Sequence, residues 1–167
     1  MIEPFRHNSW ATLRLLEFCR DIDPSMLDVA ARGTYGPVNE TLAHVVGSEE
    51  LLASLAEGSG TQGPPPRFAT VDDLLERARW LAERWERILG PGLHPERLVE
   101  HDEGGVRRLV RVGTVLAEAV HHGNHHRSQV CTALSTIDIV PPALDGWAYG
   151  AWMAGGADPR RRRADIL

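Results

Sequence analysis

Apolar side chains recur every three or four residues along most of the chain, and breaks rich in Pro or Gly interrupt this pattern. Such spacing puts the apolar side chains on one face of a helix, so it predicts amphipathic α-helices. Four long helices are expected, over residues 4–20, 37–56, 70–88 and 113–134, followed by a short helix over 145–153. Because the connections are mostly short, neighbouring helices should pack together in a single all-α bundle domain.

One segment does not fit the helical pattern. Residues 97–101 and 106–110 favour β-structure, and Gly104-Gly105 separates them. Two such runs around a Gly-Gly turn predict a small β-hairpin before the fourth long helix. Earlier in the chain, residues 62–67 hold three consecutive prolines and are expected to form an exposed, extended loop.

Charge and hydropathy exclude several classes of protein. The net charge is −5 and the pI is about 5.9, whereas a nucleic-acid-binding domain is usually basic. The four arginines at 160–163 are interpreted as a solvated segment. No apolar run reaches the roughly 18 residues needed to span a bilayer, and residues 1–7 lack the pattern of a signal peptide. A cytoplasmic protein that binds neither nucleic acid nor membranes is therefore expected.

Four histidines lie close together in the fourth long helix, at positions 121, 122, 125 and 126. Residues four apart share one face of a helix, so this segment offers two pairs that can each bind one ion. At roughly 100° per residue, His122 and His126 fall beside the apolar face of the helix, whereas His121 and His125 fall on the solvent side. The inward pair, His122 and His126, is therefore the candidate metal-binding pair.

A third ligand must come from elsewhere, because catalytic sites usually hold their ion with three protein side chains. His44 is the candidate, since it lies in the middle of the second helix in a partly apolar setting. A histidine there needs a partner, which is either a metal ion or a hydrogen bond within the core. Glu49 lies on the inner arc of the same helix, where its carboxylate either orients a liganding histidine or pairs with an arginine of another helix.

Other catalytic motifs are missing from the sequence. It contains no Gly-x-Ser-x-Gly elbow, no Walker loop, no Gly-x-Gly-x-x-Gly before a helix and no Cys-x-x-Cys. His122 and His126 have the spacing of zincin ligands, but Gly123 stands where a zincin has its catalytic glutamate. Cys19 and Cys131 lie in apolar helical patterns and are expected to be buried thiols outside any disulfide.

Three segments of the chain together resemble the DinB-like proteins. They are Asn8-Ser9-Trp10-Ala11, Thr41-Leu42-Ala43-His44 with Glu49 downstream, and His122-x-x-x-His126-Arg127-Ser128-Gln129. The resemblance covers most of the chain, and Ser128 stands where the family commonly has glycine. It implies an up-down-down-up four-helix bundle, often a homodimer, that holds one divalent ion (nickel, zinc or iron) with three histidines. These correspond to His44, His122 and His126.

The resemblance also implies a class of chemistry. Characterised relatives include enzymes that use bacillithiol, mycothiol or glutathione, in which the metal is thought to lower the pKa of the thiol. Metal-dependent transfer of such a thiol to a small-molecule substrate is therefore the leading hypothesis, with Gln129, Arg127 and Glu49 as candidate catalytic residues. The alternatives are a metal-dependent hydrolase in which water replaces the thiol, a non-catalytic metal-binding stress-response protein, and a metal-free bundle.

Overall fold

The computed structural model describes residues 2–59, 70–103 and 105–156. Over these residues the chain forms five α-helices and one antiparallel β-hairpin. Their bounds are α1 Ile2–Arg20, α2 Val38–Glu57, α3 Val71–Ile88, β1 Leu98–Glu103, β2 Val106–Arg111, α4 Val112–Ser135 and α5 Gly146–Met153. The predicted helical class and the hairpin are confirmed, with helix ends close to those expected. The proline-rich loop 62–67, Gly104 and the arginine run 160–163 lie outside the described residues.

Local sequence explains where several of these helices begin and end. Thr70 and Asp73 form a capping box at the start of α3, in which each side chain accepts the other residue's backbone N–H. Gly58 ends α2 with a φ of +83°, in the left-handed region that glycine adopts most easily. The segment Pro24–Asp28 forms a short 3-10 helix capped by Asp23, whose side chain accepts the Ser25 N–H.

Two ion pairs between α2 and α3 show that these helices are parallel. Glu50 of α2 binds Arg77 of α3, and seven residues further along both helices Glu57 binds Arg84. If the helices ran in opposite directions, a step of seven residues forward along α2 would meet a residue further back in α3. Consecutive helices that are parallel distinguish this bundle from one in which every neighbour reverses direction.

Helix α1 runs antiparallel to α3. Arg6, near the start of α1, binds Glu86 near the end of α3, whereas Glu17, near the end of α1, binds Arg79 in the first half of α3. These pairs are exposed to solvent, so each contributes little to stability. They nevertheless show that the start of α1 lies beside the end of α3.

The hairpin lies at the junction of α2 and α4. Its strands pair with Leu98 opposite Arg111. Next to this pair, the Val112 N–H at the start of α4 donates to the Arg97 carbonyl at 2.9 Å, and the Arg97 guanidinium donates to the Ala56 carbonyl near the end of α2. Helix α4 therefore begins where α2 ends, and the two are antiparallel. The helices run up, down, down and up in chain order, as expected.

One hydrophobic core fills the bundle, and a smaller cluster joins α5 to α1. In the main core, the rings of Phe5 and Trp85 pack with their centroids 4.7 Å apart. In the smaller cluster, Tyr149 of α5 packs against Trp10, while Trp147 on the outer face of α5 is 90% exposed. Among the residues that the structure describes, no helix combines the length and the hydrophobicity of a transmembrane segment.

Candidate metal centre

Three histidines converge between α2 and α4. His44 comes from the middle of α2, whereas His122 and His126 lie one turn apart on α4. One ring nitrogen of each lies within 4.8 Å of the corresponding nitrogens of the other two. His121 and His125, the alternative pair on α4, are exposed to solvent. The structure thus brings together the three histidines that the sequence had indicated.

The spacing of two of these nitrogens matches that expected around a single transition-metal ion. Two nitrogens that are each about 2.0–2.1 Å from a tetrahedral ion lie roughly 3.3 Å apart. The Nε2 atoms of His44 and His122 are separated by 3.1 Å. Imidazole suits zinc, nickel, iron and copper, whereas magnesium and calcium prefer oxygen ligands. Three protein ligands also leave a coordination position open for water or another ligand.

The electrostatic environment keeps all three imidazoles in the neutral form that binds metals. Burial lowers the pKa of His44, and the positive form of His126 would lower it further. Burial and the neighbouring His126, His44 and His125 lower the pKa of His122 to about 4. The pKa of His126 is also lowered by burial, against the opposing effect of its hydrogen bond to Gln129. At neutral pH each ring therefore has one nitrogen without a proton, and the lone pair of that nitrogen can bind a metal ion.

Hydrogen bonds to the far side of two rings determine which nitrogen faces the centre. Gln129 Oε1 accepts the Tyr35 backbone N–H at 3.1 Å, which identifies this atom as the amide oxygen. The same oxygen lies 2.9 Å from His126 Nδ1, so Nδ1 carries the proton and the Nε2 lone pair is available. His44 Nδ1 lies 3.4 Å from Ser48 Oγ, a longer contact in which either atom can be the donor. Such outer partners orient metal-binding histidines.

Tyr35 covers the centre from the turn that precedes α2. Its ring stacks on the His44 imidazole, with centroids 4.1 Å apart and an interplanar angle of 11°, and meets the His126 ring edge-on at 5.4 Å. The sequence pattern had not indicated a role for Tyr35 or for Ser48. The available signals were an aromatic residue between Thr34 and Gly36 just before the helix that carries His44, and a serine four residues after that histidine.

A comparison of the chain with family models identifies its family. The model described as the DinB family matches residues 1–161. The chain belongs to the DinB family. Among curated proteins, no sequence matches it. The resemblance seen in the sequence motifs is therefore confirmed at the level of the family.

Gln129, one of the three candidate catalytic residues of this DinB-family protein, thus lies at the centre. The other two, Arg127 and Glu49, belong to a buried polar network that includes residues of α1 and α3. Arg127 Nη1 donates to Asn8 Oδ1 at 2.8 Å and to Thr12 Oγ1 at 2.9 Å. Glu49 Oε1 accepts hydrogen bonds from Trp85 Nε1 at 3.0 Å and from Asn8 Nδ2 at 3.3 Å. Asn8 therefore links Glu49 to Arg127, since it donates to the carboxylate and accepts from the guanidinium. Neither the predicted salt bridge to an arginine nor a bond to a liganding histidine is among the hydrogen bonds described for Glu49.

The charges of this network offset each other. Burial raises the pKa of Glu49, while the Arg127 charge and the hydrogen bonds from Trp85 and Asn8 oppose this rise. Burial lowers the pKa of Arg127 to about 10, and the Glu49 carboxylate opposes that change. A buried charge persists only when such partners replace water. Arg127 follows His126 directly in α4, so the DinB-family bundle anchors the histidine-bearing turn of α4 to α1 through this network.

Proposed function

We propose that this DinB-family protein is a metal-dependent enzyme that activates a low-molecular-weight thiol for transfer to a small-molecule substrate. The observation that carries the proposal is the convergence of His44, His122 and His126, with ring nitrogens within 4.8 Å of one another. These residues would hold one divalent ion, for which nickel, zinc and iron are the candidates.

A divalent ion held there supplies a Lewis acid that favours the thiolate form of a coordinated thiol. The protein contributes three neutral imidazoles, which leave the positive charge of the site uncompensated and so favour an anionic ligand. Gln129 accepts the Nδ1 proton of His126 and thereby keeps the Nε2 lone pair of that ring directed inward, while Ser48 Oγ lies 3.4 Å from His44 Nδ1. In the transfer, the sulfur bonds to an electrophilic carbon, the leaving group departs with the bonding electron pair, and the thiol proton passes to solvent.

The attacking sulfur would come from a separate molecule and not from the chain itself. Cys19 and Cys131 are both free of disulfides, but Cys131 is only partly buried, whereas the sequence pattern predicts a buried thiol at both positions. Cys19 is fully buried, and burial raises the pKa of its thiol to about 12. A reactive cysteine needs a lowered pKa and access to solvent, so Cys19 is unsuited to the role of nucleophile.

Elemental analysis of tag-free protein purified without chelator tests the metal site. We expect about one transition-metal ion per chain in the wild type, as a three-histidine site predicts. The variants His44→Ala and His122→Ala should lose this ion while remaining folded. His121→Ala is the matched control, because it removes the exposed imidazole that directly precedes His122 in α4, and this variant should keep the ion. Wild-type protein that stays metal-free after incubation with nickel or zinc would overturn the proposal.

Substrate profiling of the metal-loaded protein then tests the chemistry. Consumption of bacillithiol, mycothiol or glutathione with an electrophile, abolished in His122→Ala, is the result expected of a thiol transferase. Turnover of esters or amides without a thiol would instead indicate a hydrolase. One bound ion with neither activity would indicate a non-catalytic metal-binding protein. The homodimer and the cytoplasmic location stay predictions.

A further inference from the structure

Tyr35 lies between the histidine centre and solvent. Its ring stacks on His44 at 4.1 Å and meets His126 edge-on at 5.4 Å, so it touches two of the three candidate ligands. The Tyr35 residue is 54% exposed. An apolar ring that is exposed on one face and packed on candidate ligands with the other forms part of the wall of the site.

The turn that carries Tyr35 is held in place by its own hydrogen bonds. Thr34 Oγ1 donates to the Ala31 carbonyl at 2.7 Å and accepts the Ala31 N–H at 3.2 Å. Gly33 has a φ of +84°, a conformation that lets the chain reverse before α2 without strain. The ring therefore belongs to a folded turn and occupies a defined position over His44.

Gln129 ties this turn to the centre. A single oxygen, Gln129 Oε1, accepts both the backbone N–H of Tyr35 at 3.1 Å and the Nδ1–H of His126 at 2.9 Å. An imidazole that binds a cation through Nε2 becomes a stronger donor at Nδ1. The contact that orients His126 thus also holds the Tyr35 turn against α4.

We propose that Tyr35 is a positioning residue that holds His44 in place at the three-histidine centre and slows exchange of the bound ion. This inference rests on the proposed metal site. To release an ion, at least one imidazole must turn away from it. The stacked ring of Tyr35 restricts that rotation for His44, while the Gln129 bridge restricts it for His126. The phenol hydroxyl plays no part in the stacking, so the ring alone should be sufficient.

The test is the rate at which a chelator removes Co²⁺ from the loaded protein, followed by the visible absorption of the ion. Tyr35→Ala should bind the same amount of Co²⁺ with the same spectrum as the wild type, but release it about tenfold faster or more, the scale of other outer partners of metal ligands. Tyr35→Phe should release the ion at the wild-type rate, because it retains the ring. Trp147→Ala, which removes an exposed aromatic ring from α5, is the matched control and should leave the rate unchanged.

The outcomes separate this inference from the proposed function. Absence of Co²⁺ binding by the wild type would overturn both. One ion bound to both proteins with equal release rates would overturn the inference and leave the metal site standing. Equal acceleration in Tyr35→Phe and Tyr35→Ala would also overturn it, because the effect would then not come from the ring. If the alanine variant is poorly folded, Tyr35→Leu keeps side-chain bulk without a stacking ring, and the same acceleration is expected.

Discussion

Gly123 of α4 and Asn8 of α1 approach so closely that a Cβ at position 123 would lie 2.6 Å from Asn8 Oδ1. The same Cβ would lie 2.7 Å from Arg127 Nη1. These two atoms are hydrogen-bonded to each other at 2.8 Å in a buried setting, so neither can move aside without disturbing the network. A glycine on the core face of α4 is what allows this network to form one turn from His126.

Replacing a glycine inside a helix with alanine usually stabilises a protein, but at Gly123 the same change should destabilise it. Gly123→Ala should destabilise the protein by about 1–3 kcal/mol, the cost of overpacking a filled core. Gly47→Ala in the middle of α2 is the matched control, because nothing lies within 4 Å of its added Cβ. There the substitution should stabilise by roughly 0.5–1 kcal/mol. Urea unfolding of the metal-free proteins measures both values, and stabilisation by Gly123→Ala would contradict the packing described for α4 and α1.

The bond between His126 Nδ1 and Gln129 Oε1 predicts a role for Gln129 in metal affinity. Gln129→Met removes the acceptor, and affinity should fall about 10- to 100-fold. Gln129→Glu keeps an acceptor at this position and should retain most of the affinity. His125→Ala removes the partner of the Gln129 amide nitrogen, leaves both bonds to Oε1 in place and is the control. Competition with a zinc-binding dye measures the dissociation constants, and equal affinities for Gln129→Met and wild type would exclude this role.

The buried charges of Glu49 and Arg127 predict coupled effects on stability. Arg127→Met leaves the Glu49 carboxylate in the core without its compensating charge, so the free energy of unfolding should fall by about 3–5 kcal/mol. Adding Glu49→Gln removes that charge but keeps an oxygen for Trp85 and Asn8, and stability should partly return. Chemical denaturation of the wild type, both single variants and the double variant gives the coupling energy. Simple additivity of the two substitutions would show that the residues do not compensate each other.

The lowered pKa values of the three histidines predict that the metal-free protein loses stability in acid. As the pH falls from the ordinary His122 pKa of 6.5 towards about 4, the unfolded chain binds a proton that the folded chain does not. The free energy of unfolding should therefore fall through this window and be fully retained above it. His122→Asn should make the decline shallower. His121→Asn is the exposed control, and denaturation in chelator-containing buffers across this range measures the slopes. An unchanged slope in His122→Asn would contradict the prediction.

Much of the bundle could be predicted because the rules involved are local. The apolar spacing in residues 112–135 is enough to define one face of α4, and the rotation per residue then separates His122 and His126 from His121 and His125. The Gly-Gly turn and its flanking β-favouring residues likewise indicate the hairpin. Each of these features depends on contacts between residues that are close in sequence.

The tertiary structure decided the remaining features, because they depend on contacts between distant segments. Helical periodicity assigns a side chain to a face, but it does not determine which helix that face meets. Packing of α2 against α4 brings His44 to His122, and contact with α1 turns Arg127 away from the histidines into a buried network with Asn8. The position of Tyr35 over His44 depends on a turn whose anchor, Gln129, lies 94 residues later in the chain. Sequence alone therefore determined the helices and their inward histidines, while their packing determined the composition of the centre.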